Sequence, residues 1–188
     1  MADFDFDDAV RWTRPAQGKM LVRRDDADLP FVEADEIGGN DLLLDTCVYI
    51  DQMQSKAPEV LEALIEGRQV NHSTVAIQEL MHTVGVLDPN DARTAGVVAE
   101  IRTHIKAMRP HRTFAPEPDV LGKAAMLSGI ICRQQHYGGD GKLRALMDCV
   151  LFVQALKLGF TVLTANIGDF DLLLQLVPAG RVLFYRRN

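Results

Sequence analysis

The stretch Lys142–Gly159, KLRALMDCVLFVQALKLG, reads as a helix that is apolar on nearly every face. A helix of that kind must be covered on more than one side, since any bare face would leave apolar surface in water. It runs directly into TVLT (161–164), a short β-branched strand pattern. Upstream, DLLLDTCVYID reads as an apolar strand ending at Asp45, SKAPEVLEALIEG as a helix entered near Pro58 and left at Gly67, and RQVNHS as a second strand. TVAIQELMHTVGVL, NDARTAGVVAEIRTHIKAM and DVLGKAAMLSGIICRQQH follow as helices, DFDLLLQL as a short helix after TVLT, and RVLFY as a last strand. Strands alternating with helices predict an α/β fold with a central, mainly parallel sheet covered on both faces. Such sheets bind ligands beyond the carboxyl ends of their strands, where Asp45 and the Asn166–Asp169 stretch fall.

Residues 1–40 have weaker periodicity and read as an acidic N-terminal extension of a domain spanning 41–188. RRDDADLP and EADEIGGN have the composition of loops, and KMLV that of a short strand. The extension holds ten acids and five bases, so it accounts for −5 of the chain's −6. Near a cleft, that charge would mimic a nucleic acid and lower substrate affinity; otherwise the extension packs at a distance or helps form a dimer. The remaining 148 residues are nearly balanced at −1, which leaves a nucleic-acid substrate open to them. Three cysteines lack metal-type spacing and cannot all pair, which reads as reduced thiols. The N-terminus lacks the basic and apolar regions of a signal peptide, and no apolar run nears the roughly 20 residues that span a bilayer. The expectation is a cytoplasmic protein with no membrane contact.

Four carboxylates stand out. Taken singly, Asp45 and Asp169 read most simply as helix or turn caps, and Glu79 as an exposed mid-helix acid. Asp148 differs, because the five residues after it are apolar and a charge there is costly unless paired, exposed or bound to a cation. If the four converge, their repulsion calls for a divalent cation, and all-oxygen donors favour Mg²⁺ or Mn²⁺ over zinc. Thr164 and Asn166 would then orient a carboxylate or a water from the second shell.

In order, LLLDTCVYID, STVAIQEL and LMDCVLFVQALKLGFTVLTANIGDF resemble the PIN-domain ribonucleases, including bacterial toxins of the VapC type, over roughly residues 41 to 185. The resemblance implies a three-layer α/β/α sandwich and an acidic cluster that binds Mg²⁺ or Mn²⁺ and hydrolyses RNA. It places that cluster on Asp45, Glu79, Asp148 and Asp169, with T-x-N-x-x-D-F as its most specific piece. It also implies an RNA substrate, an antitoxin partner and a homodimer. The short toxins have no counterpart of residues 1–40, and Asp140 in RQQHYGGDG competes with Asp148 as an acid of the site.

Rival patterns are incomplete. Glu79 and His82 have the E-x-x-H spacing of di-iron bundles, but a second pair is missing and the strands argue against a bundle. A haloacid-dehalogenase-type site needs a second Asp where Cys47 stands, and YGGDG lacks the Lys-Ser/Thr ending of a phosphate loop. That glycine-rich stretch reads instead as a loop beside the site. The non-enzyme alternative is a catalytically silent PIN fold kept as a binding or regulatory module.

Overall fold

The computed structural model describes residues 4–33 and 38–188. Five parallel strands, β1 (Leu42–Leu44), β2 (Val70–Ser73), β3 (Thr113–Phe114), β4 (Thr161–Thr164) and β5 (Val182–Phe184), form one sheet in the order β3-β2-β1-β4-β5. Successive strand residues point to opposite faces, and β1 shows the result. Leu43 joins a core with β4 and β5, whereas Leu42 and Leu44 join a second core on the other side.

The second core is capped by α2 (Thr46–Met53), α3 (Glu59–Gly67), α4 (Thr74–Val86) and α5 (Thr94–Ala107). The first is capped by α6 (Pro118–Gln134), α7 (Asp140–Leu158) and α8 (Ile167–Leu176). This is a three-layer α/β/α sandwich. The all-round apolarity of α7 now has its cause: α7 lies between the sheet and α6, so residues 149–155 are all buried. Gln154 is the polar exception, and its amide is satisfied, accepting from Ser73 Oγ at 2.7 Å and donating to the Phe114 carbonyl at 3.1 Å. Gly159 ends the helix in the left-handed region, at φ 74°, where other residues are strained.

Four local expectations need correction. KMLV forms no strand. The extension carries a helix, α1 (Phe6–Thr13), whose N-cap Asp5 accepts from the Asp8 amide. The strand ends at Asp45 as expected, and α2, which was not foreseen, follows because Val48 and Tyr49 pack into the second core. β3 was not foreseen, being two residues long. Of EADEIGGN, residues 34–37 lie outside the described residues.

The extension is built into the domain. α1 packs on α6, Lys19 Nζ donates to the terminal carbonyls of α8 (Gln175 at 2.6 Å), and Arg24 pairs with the wholly buried Asp171 of α8. Pro30–Val32 then runs parallel to β5: the Phe184 amide donates to the Pro30 carbonyl and the Val32 amide to the Phe184 carbonyl.

Candidate active site

β1 and β4 are paired in register, Leu44 opposite Leu163, so the residues that follow them emerge side by side. Asp45 occupies the N-cap position of α2 without a side-chain capping bond. Its Oδ2 instead accepts from Thr164 Oγ1 at 2.6 Å and from Cys47 Sγ at 3.0 Å. The Ala165 amide donates to Cys47 Sγ, so the two strand ends are stitched together through Asp45 and Cys47.

Asn166, rather than Asp169, caps α8, its Oδ1 accepting from the Asp169 amide. Its Nδ2 donates to Oδ2 of both Asp148 and Asp169, at 3.0 and 3.1 Å. Thr164 and Asn166 thus each touch a carboxylate. Glu79 enters from α4 and accepts from Thr46 Oγ1, the residue after Asp45. Tyr137 completes the group, its hydroxyl donating to Asp169 Oδ1 at 2.6 Å.

Desolvation raises the pKa of Asp45, Glu79 and Asp148 above the ordinary carboxylate range. At Asp148 the rise is large, and the charges of Asp45, Asp169 and Glu79 add to it, which puts all four within mutual electrostatic reach. Hydrogen bonds from Cys47 and Thr164 partly offset the rise at Asp45, and the bond from Thr46 does so at Glu79. No Lys or Arg among the described residues forms an ion pair with any of the four.

Among the described residues, no three His, Cys, Asp or Glu are gathered into a ready-made ion-holding group. The carboxylates face one another across the donors of Asn166, Thr164 and Thr46 instead. The donor chemistry, oxygen-only and uncompensated, fits a hard divalent cation that keeps part of its water shell.

Two acids are set apart. Asp140 opens α7 as an exposed residue, two turns before Asp148, and contributes nothing to the elevation of Asp148. Asp171, only two positions after Asp169, faces the opposite way into the pairing with Arg24. His82 is exposed on the surface of α4.

A cleft of ≈860 Å³ adjoins the cluster, walled by Asn166 and Asp169 on one side and by His136, Tyr137 and Arg144 on the other. YGGDG therefore lies beside the site, and no described residue of the extension lines it. Sequence reasoning missed Thr46, Cys47 and Tyr137. The first two directly follow Asp45, a signal that was there to be read; Tyr137 stands 32 positions from Asp169, with no spacing that points to it.

No family model and no curated protein matches the sequence. Solved structures match the fold. A chain of VapBC2 from Rickettsia felis, solved bound to a DNA fragment of its promoter, is 13% identical at a TM-score of 0.53, covering 77% of this chain and 98% of that one. A chain of DNA-bound VapBC from Salmonella typhimurium is 15% identical at 0.54, covering 77% and 97%. One of VapBC-5 from Mycobacterium tuberculosis, described as a member of the VapBC family of toxin–antitoxin systems, is 18% identical at 0.51, covering 78% and 100%. The protein has a VapC-like PIN fold.

Proposed function

We propose that this protein is a metal-dependent endoribonuclease that hydrolyses RNA phosphodiester bonds, with Mg²⁺ or Mn²⁺ held by Asp45, Glu79, Asp148 and Asp169. One observation carries the reading: four acids from four separate elements share one rim, burial and neighbouring acids raise the pKa of Asp148 and Glu79, and no Lys or Arg among the described residues forms an ion pair with any of the four. A cation bound there would supply charge compensation and Lewis acidity toward the phosphodiester.

The chain's own residues supply the order. Thr164 and Cys47 fix Asp45 from the sheet side. Asn166 holds Asp148 and Asp169 in one plane of approach, since a single amide group donates to both. Tyr137 is bonded to Asp169 and lines the cleft beside it, a site suited to chains whose phosphates are exposed. Single strands and loops meet that condition better than a stiff duplex.

The similar structures come from VapBC complexes, one of them described as a toxin–antitoxin system, which supports a further reading as the toxin of such a pair. That reading brings an antitoxin partner and a homodimer. No helix among the described residues is long and apolar enough to cross a membrane, in keeping with a cytoplasmic role. The alternative is a catalytically silent PIN fold kept as a binding or regulatory module.

Incubation of the purified protein with mixed structured and single-stranded RNAs decides between them. Cleavage with Mn²⁺ that stops in EDTA is the expected result. No cleavage at any Mg²⁺ or Mn²⁺ level, or cleavage that survives EDTA, overturns the nuclease reading.

A further inference from the structure

Arg187 is the last wall of the cleft beside the acidic cluster, and it is held there by a device the four carboxylates do not need. Its Nε donates to Oδ1 and Oδ2 of Asp51, at 2.9 and 2.8 Å. Asp51 belongs to α2, is 1% exposed, and also accepts from the Tyr185 hydroxyl at 2.7 Å. The following amide, Asn188 N–H, donates to the Lys56 carbonyl and pins the backbone. The guanidinium is therefore oriented through one edge only. Its side chain is 50% exposed, and neither terminal nitrogen has a hydrogen-bond partner among the described residues.

Arg144 faces the same cleft from α7. It precedes Asp148 by four residues, which puts the two on one helical face a turn apart. It is exposed and has no hydrogen bond or ion pair among the described residues. The lining of the cleft is thus two-signed, holding the carboxylate of Asp169 and two guanidiniums. Tyr137, fixed by its bond to Asp169, lines the same cleft.

We propose that this cleft is a nucleotide subsite, in which Arg187 and Arg144 take the phosphate next to the scissile one. The assignment rests on the nuclease reading above and names where its substrate is gripped. A guanidinium fixed through Nε presents its terminal N–H groups as a planar fork, the shape that matches two oxygens of a phosphate. A chain of phosphates answers both signs of the lining, one phosphate beside Asp169 with its cation and the next at the arginines. The volume of ≈860 Å³ lies within the range of small-molecule pockets, so a nucleotide fits inside it.

The test uses the full-length protein, a short fluorescent single-stranded oligoribonucleotide, and two variants, Arg144→Ala and Arg187→Lys. Binding is read by anisotropy in EDTA across a salt series, and cleavage kinetics with Mn²⁺. Arg144→Ala is expected to weaken binding about five- to tenfold and to reduce the salt slope by about 0.7, the loss of one phosphate contact on a single strand. Arg187→Lys keeps the charge and loses the fork, so KM rises while kcat stays within about twofold. Arg144 touches no buried partner, so its variant reads the subsite even if Arg187→Lys loosens Asp51.

Cleavage by the parent with unchanged KM and salt slope in both variants overturns the subsite and leaves the nuclease standing. Binding that falls in the variants of a parent that never cleaves supports the subsite and overturns the nuclease. A parent that neither binds nor cleaves overturns both.

Discussion

Asp148 sits where the charges of Asp45, Asp169 and Glu79 all bear on it. Replacing it with Asn removes one charge at nearly constant volume and keeps an oxygen for Asn166 to approach. Asp148→Asn is expected to abolish RNA cleavage yet leave the protein equally or more stable in EDTA. Mg²⁺ at ten times its dissociation constant should stabilise the parent by about 1.4 kcal/mol, and the variant should lose most of that gain. Thermal melts of both proteins, in EDTA and in Mg²⁺, check each part; a variant clearly destabilised in EDTA that keeps the full Mg²⁺ response makes Asp148 structural. His72 offers a pH test away from the cluster. It is paired with the Tyr49 hydroxyl, and burial lowers its pKa below the usual 6.5. Below 6.5 the unfolded chain takes up a proton that the folded one resists, so stability falls as pH drops toward the folded value. His72→Gln is expected to flatten that part of the stability–pH curve, measured by urea unfolding at a series of pH values. At this scale Asp148 stood out because apolar residues follow it, whereas Asp45, Glu79 and Asp169 drew notice only through the order of the motifs around them. Tyr137 and Arg187 were not, because nothing in a linear chain marks residues that meet only through the ordering of the strands.

The elements divide along the same line. α7 was legible from its apolar faces, and β1, β4 and β5 from short apolar runs bounded by turns. α2 was not, since VYI is β-branched and aromatic and local propensity favours strand; packing of Val48 and Tyr49 into the second core overrides it. β3 is too short for any pattern and is held in part by a side chain. Gln154, on a helix otherwise buried in apolar contacts, bonds Ser73 at the end of β2 and the Phe114 carbonyl of β3. Gln154→Leu keeps the volume and strands both partners, one of them buried. A loss of about 1–3 kcal/mol is expected, together with faster amide exchange at residues 113–114. An unchanged exchange rate there would remove Gln154 from the account of β3.

For the whole molecule, residues 4–33 act as a brace on α8, the helix whose first turn bears Asp169. Arg24 reaches Asp171 through both its backbone amide, at 2.8 Å, and Nε, at 2.6 Å, while Gln175 of α8 donates to the Val22 carbonyl. The described residues of the extension pack on α6, α8 and β5, and none of them lines the cleft. Arg24→Ala is expected to cost about 1–3 kcal/mol, moderated because the amide and Gln175 still reach Asp171 and the Arg24 side chain is partly exposed. Chemical denaturation measures it. Removal of residues 1–38 should lower the melting temperature sharply instead of tightening RNA binding, and a truncated chain that melts like the parent would return the extension to the role of a detachable tail. The pairing of Pro30–Val32 with Phe184 carries a last consequence, for assembly. Open sheet margins are sites where foreign strands add on and where chains stack into fibrils. One margin is already taken by the protein's own backbone, and the other offers only the two residues of β3. Each margin therefore offers a foreign strand only a short ladder to extend, two residues at β3 and the single bridge of Phe31 at the other side.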